Sequence, residues 1–224
     1  MKIWHFSDTH TYHSLLNIPE NIDIAIFSGD CSNPRDPYKN EHEVLEFLDW
    51  YKELPIKYKI FIAGNHDSSI EKRLVDGLLI GCKGIIYLEN SDVTIEGLKI
   101  WGSPYTPTFS DWSFMKKRDK LHDLWQTIPE DSDIVIVHGP PRGILDFSYN
   151  REGILENCGC TALKKRMLNI EPKLMCFGHI HNCDDIINAG YTKLSEYRTI
   201  FSNGSVVTDR KFGKLTSNGN ILEI

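Results

Sequence analysis

At 224 residues, with 41% hydrophobic and 25% charged side chains, the chain can bury a sizeable core, and a disordered or fibrous class is excluded. Its net charge of −6 argues against a surface that holds duplex nucleic acid through clustered Lys and Arg. No run of 18 apolar residues predicts a membrane span, and the start MKIWHFSDTH has no apolar stretch after a charged leader, so a cytoplasmic location is expected.

Five short runs rich in Ile, Val and Phe, at 2–6, 22–27, 59–63, 134–137 and 174–177, lack clean polar alternation and read as strands buried on both faces. Between them lie helical patterns. In 42–51, Val44, Phe47, Leu48 and Tyr51 recur at helical spacing, and in 113–127 Phe114, Leu121, Leu124 and Trp125 do the same. A shorter helix is predicted over 160–168, with Leu163 and Met167 four apart. The stretch 84–102 reads as β structure, with Ile85-Ile86-Tyr87, Val93-Thr94-Ile95 and Lys99-Ile100-Trp101 as strands and Glu96-Gly97 as a hairpin turn. Further strands are expected at Thr199-Ile200-Phe201, Ser205-Val206-Val207 and Ile221-Leu222-Glu223-Ile224. The simplest assembly is an α/β chain with two sheets packed face to face and flanked by helices, with 1–224 as a single domain.

The residues that follow the buried strands carry the chemistry. Ser7-Asp8-Thr9-His10, Ser28-Gly29-Asp30, Gly64-Asn65-His66-Asp67, His138-Gly139-Pro140-Pro141 and Gly178-His179-Ile180-His181 each follow one of the five runs. Ligands collect at the carboxyl ends of strands in α/β sheets, and five of the nine histidines stand there. Each piece has a bland reading. Asp8 and Asp30 also suit turns and caps, Asn65 to Asp67 suit a polar turn, and His138 suits a rigid loop. In an extended segment Asp8 and His10 would face one side together, as would His179 and His181. Asp67 is placed to orient the imidazole of His66. Carboxylate, amide and imidazole donors without thiolate suit Mn²⁺, Fe or Zn²⁺ better than Ca²⁺ or an iron–sulfur cluster. Cys158-Gly159-Cys160 reads as free thiols, with a zinc site as the sharper alternative.

In this order, D-x-H, GD, GNHD, a strand-end His and GH-x-H, the motifs resemble those of the calcineurin-like metallophosphoesterases across nearly the whole chain. The likeness is greatest to a branch of small metallophosphoesterase-domain proteins first noted in vertebrate brain, with bacterial and viral relatives. It is carried by 54–66, Trp101-Gly102-Ser103-Pro104, His138-Gly139-Pro140-Pro141, Gly159-Cys160 and Ser202-Asn203-Gly204-Ser205. The resemblance implies an α-β-β-α fold and two divalent cations, Mn²⁺ first and Fe, Zn²⁺, Co²⁺ or Ni²⁺ as alternatives. Asp8, His10 and His181 would hold one ion, Asn65, His138 and His179 the other, and Asp30 would bridge them. His66, outside the ligands, would contact phosphate and act as the general acid; Asp67, read from its place beside His66 and not from the resemblance, is the second catalytic candidate.

The reaction implied is hydrolysis of a phosphodiester, a cyclic or small nucleotide among the candidates, by hydroxide shared between the ions. Asn65, His66 and Arg142 are the candidate substrate contacts, although a solvated loop charge explains Arg142 as well. The aromatic stretch Trp101, Tyr105, Phe109 and Trp112 is read either as a stacking surface for a nucleobase or as core and interface. A phosphomonoesterase or single-strand nuclease would use the same ligands, whereas a non-catalytic scaffold predicts eroded ones. The sequence predicts no oligomeric state.

Overall fold

The computed structural model describes residues 1–150, 152–183, 185–208 and 213–224. One sheet contains β1 (Lys2–Phe6), β2 (Ile24–Phe27), β3 (Tyr58–Phe61), β4 (Ile86–Tyr87) and β15 (Asn220–Glu223), in the order β15-β1-β2-β3-β4. The other contains β5 (Ser91–Ile95), β6 (Leu98–Ser103), β9 (Ile134–Val137), β12 (Leu174–Phe177), β13 (Gly190–Lys193) and β14 (Ile200–Asn203), in the order β13-β14-β12-β9-β6-β5. Interior strands pair in parallel, and antiparallel β15, β13 and β5 close edges. Two short ladders lie apart, β7 (Thr106–Pro107) with β8 (Met115–Lys116) and β10 (Phe147–Tyr149) with β11 (Leu155–Asn157).

Period-two alternation divides every central strand between two apolar layers. One face supplies branched aliphatics to the space between the sheets: Ile3, Ile24, Ile26 and Ile60 from the first, Ile100, Ile134, Ile136 and Leu174 from the second. The opposite faces carry large rings under the helices. Trp4, Phe6, Phe27 and Phe61 pack against Phe47 and Tyr51 of α1 (Pro37–Lys52). Trp101, Phe177 and Phe201 share a cluster with Trp125 of α4 (Arg118–Gln126) and Met167 of α5 (Thr161–Ile170). Double burial explains why these runs show no polar alternation, and the expected sandwich between helices is the observed architecture.

Several boundaries differ from expectation for local reasons. Helix α1 starts at Pro37, five residues before the predicted 42–51, because the Asp36 side chain accepts the Lys39 N–H at 3.1 Å and proline suits the first helical position. Helix α4 starts only at Arg118. Phe114 has a left-handed φ of 48° and is buried in the cluster under α1, its N–H donating to Glu71 at 2.7 Å. The Glu96-Gly97 turn is present, both residues with positive φ as a tight hairpin requires. Ser205-Val206-Val207 makes isolated bridges to Ser7 and Leu215 instead of a regular strand. The short helices α2 (Ser68–Glu71) and α3 (Gly77–Cys82) and the β10–β11 hairpin were not expected. Among the described residues no helix is long and apolar enough to cross a membrane.

Candidate metal centre

The loops after β1, β2, β3, β9 and β12 meet at one end of the sandwich. Three groups of donors lie there with ligand atoms within 4.8 Å of one another: Asp8, His10 and His181; His10, Asp30 and His66; Asp30, His138 and His179. Asp30 thus belongs to two groups. Asn65 joins the third, its Oδ1 standing 2.9 Å from His138 Nε2.

Hydrogen bonds behind the donors aim them. The carbonyl of Ser28 can only accept, so His138 Nδ1, 2.9 Å away, carries a proton and Nε2 faces Asp30 Oδ2 at 3.2 Å. His10 Nδ1 likewise donates to the Ser32 carbonyl at 3.1 Å, leaving Nε2 as its ligand atom. Asp8 Oδ2 accepts from the hydroxyls of Ser7 and Ser205, and its Oδ1 lies 3.2 Å from His181 Nε2. Gly64 and Gly178 bring main chain against these groups. A Cβ on Gly64 would overlap Asp30 Oδ1, and one on Gly178 would overlap Asp8 Oδ2 and Ser7 Oγ. The glycines of GNH and GH-x-H are therefore a packing requirement.

The extended same-side geometry expected for D-x-H and H-x-H is not what forms. Asp8, His10 and His179 all adopt left-handed backbone, with φ of 53°, 42° and 69°. The turn at His179 sends its imidazole to Asp30 and His138, while His181 joins Asp8 and His10. Such strain in non-glycine residues persists only where the surroundings over-determine it, and here His179 N–H is held by both Asp8 oxygens at 3.1 and 3.0 Å.

Electrostatics fit a cation. Burial opposes protonation of His138, yet the Asp30 carboxylate beside it raises its pKa to about 9. An imidazolium there does for Asp30 what a metal ion would do, and a metal would displace that proton. Burial, with His181 and His66 nearby, lowers His10 to about 4, and burial with His138 nearby lowers His179 to about 3. Asp8 is held below the carboxylate range. Burial acts against that shift, and the charge and hydrogen bond of His181 outweigh it. Ionised carboxylates and neutral imidazoles are the protonation states that divalent ions require.

Asp67 is placed differently from the partner of His66 expected above. Its oxygens accept the N–H groups of Asp30 (2.9 Å), Cys31 (3.1 Å) and Gly64 (2.8 Å), and the Ser32 hydroxyl at 2.8 Å. It ties the Asp30 and Asn65 loops together from beneath; turning toward His66 would strand these buried donors. His66 itself donates its N–H to Asp30 Oδ1 at 2.7 Å, and its ring packs on Trp112 with centroids 4.0 Å apart and the planes tilted by 35°. Trp112 in turn lies 3.8 Å beneath the Arg35 guanidinium.

Arg142 is exposed, and its guanidinium donates to the Asn157 carbonyl at 2.7 Å, bracing its loop. Cys160 is buried as the acceptor of the Trp125 indole N–H, and no candidate metal group among the described residues includes a cysteine. The aromatic stretch divides. Trp101 is core and Tyr105 packs on Phe114, whereas Phe109 lies 5.3 Å from the His179 ring and Trp112 covers His66. Asn40 was missed: its amide donates to Ser32 Oγ, Pro34 O and His66 O, and its Oδ1 accepts from Ser69. An Asn four residues before Val44 on the buried stripe of α1 was the available signal.

A family model for calcineurin-like phosphoesterase matches residues 1–183. Metallophosphoesterase domain-containing protein 1 of Homo sapiens is 33% identical over 229 residues, which cover 90% of this chain and 65% of that protein. A UPF0046 protein of Caenorhabditis elegans is 33% identical, covering 83% of this chain and 70% of its own length. The chain therefore spans 65% of the human relative. Among solved structures, phosphopantetheinyl hydrolase from Mycobacterium tuberculosis superimposes with a TM-score of 0.62 at 16% identity, covering 94% of this chain and 91% of that one, a likeness of fold.

Proposed function

The chain belongs to the calcineurin-like phosphoesterase family, and from that premise we propose that it hydrolyses phosphodiesters at a site holding two divalent cations. The observation that carries this reading is the position of Asp30, whose carboxylate falls within ligand distance of donors on both sides of it. Asp8, His10 and His181 would hold one ion, and Asn65, His138 and His179 the other. Bound cations would supply Lewis-acid activation of water and neutralise phosphate charge.

The chain's own residues do the rest. His66 Nδ1 is turned toward the Asn33 carbonyl at 3.3 Å, so Nε2 is left to donate a proton to the leaving oxygen. The contact with Trp112 holds that ring in place. A cavity of about 550 Å³ beside His179 has room for a second ester substituent, which supports a diester over a monoester. Cyclic or small nucleotides are the substrates we favour, with Mn²⁺ as the ion and the cytoplasm as the location.

Metal-reconstituted protein assayed with bis(p-nitrophenyl) phosphate and p-nitrophenyl phosphate, with Mn²⁺ added, tests the reading. Faster turnover of the diester is expected. A preference for the monoester would overturn the diester assignment, and hydrolysis of neither would overturn catalysis itself.

A further inference from the structure

The cavity beside the candidate metal centre has walls of an unusual kind. It is formed by the loop after β7 and by the β10–β11 hairpin, with His179 on its border. Phe109 and Tyr149 line it and yet remain 54% and 44% exposed. Large apolar rings left in water at the mouth of a cavity signal a surface that a ligand covers. Trp112 is not the stacking surface, because His66 and Arg35 already engage its ring. Pro107 and Ile180 extend the apolar lining.

Polar groups stand in the same wall. Arg118 is pinned by its hydrogen bonds to the carbonyls of Gly159 (3.1 Å) and Cys158 (3.4 Å), and Glu156 lies on the facing strand β11. A donor and an acceptor beside aromatic walls suit a flat heterocycle whose edge offers both functions, and do not suit an alkyl chain. The volume, about 550 Å³, is that of a pocket for a molecule of nucleoside size.

We infer that this cavity is a subsite for a planar aromatic group on the substrate, with Phe109 and Tyr149 as its stacking walls and Arg118 and Glu156 reading the ring edge. The inference rests on the phosphodiesterase reading for its orientation toward the metal centre, but the subsite is separable from turnover. It places the ring beside His179.

Binding of thymidine 5′-monophosphate and of methyl phosphate to Mn²⁺-loaded protein, measured by calorimetry, tests it. Stacking of one base predicts at least tenfold tighter binding of the nucleotide. In Tyr149→Ala and in Phe109→Ala the ratio should fall to within about threefold. Equal affinities in the parent protein, or a ratio unchanged in both variants, would overturn the subsite. Bis(p-nitrophenyl) phosphate turnover is followed in parallel. A preserved affinity ratio without turnover would remove the phosphodiesterase reading and leave the subsite standing.

Discussion

The floor and the rim of the candidate site are built by different means. The floor consists of loops that leave strands buried on both faces, and its polar atoms are held at several points. Asp67 takes three backbone N–H groups and the Ser32 hydroxyl, and Asp8 takes two hydroxyls and the His179 N–H. The rim, formed by the loop after β7 and the β10–β11 hairpin, leaves Phe109, Phe147, Tyr149 and Leu155 exposed. The groups proposed to hold ions sit where movement would leave buried donors unpaired, and those proposed to meet the rest of a substrate sit on exposed loops.

The largest effect should come from the centre of the floor. Asp30→Ala removes the carboxylate shared by two donor groups, and both metal content by elemental analysis and hydrolysis should fall to background. Normal metal loading would end its bridging assignment. One step outward, His66→Ala should keep its metal and lose about 10²–10⁴-fold in turnover, the usual contribution of a general acid. Undiminished turnover would take His66 out of the reaction.

Beneath the floor, Asp67→Asn replaces an acceptor by an amide whose NH₂ would face main-chain donors. Unfolding in urea should show a loss of about 2–3 kcal/mol, since hydrogen bonds to a buried charge are among the strong ones. Unchanged stability with lost activity would return Asp67 to the catalytic role that the sequence suggested. A further effect is one of pH on chelated protein. His138, raised to about 9 by Asp30, stabilises the fold fully below its ordinary pKa of 6.5, and that contribution disappears as pH climbs toward 9. His10 and His179, lowered by burial, reduce stability only below pH 6.5, so the window from 6.5 to 9 reports the His138–Asp30 pair. The thermal midpoint of chelated protein should fall by several degrees across it, and Mn²⁺ should bind more tightly at its upper end. A flat midpoint would mean that the pair is not protonated without metal.

Much of the floor can be read in the sequence. The strand runs at 22–27 and 59–63 fall within two residues of β2 and β3, because a chain buried on both faces must be locally apolar throughout. The donors are equally legible, since each motif follows its strand within three residues and its composition survives without knowledge of partners. The α1 stripe was legible too, although its start depended on a cap at Asp36 outside the apolar pattern.

What the sequence determined by itself was local: which segments are strands, which faces are apolar, and which residues at the strand ends carry lone pairs. Tertiary structure decided the rest. Left-handed turns at Asp8, His10 and His179 divided the donors into groups, Asp67 became a clamp between two loops, and Phe114 left its helical pattern for the core. It also separated Trp101 in the core from Phe109 at the site. The physical reason is range. Strand and helix periodicities arise among residues a few positions apart, whereas these assignments depend on contacts between segments such as Asp8 and His179, 171 positions apart, and exist only once both sheets have packed.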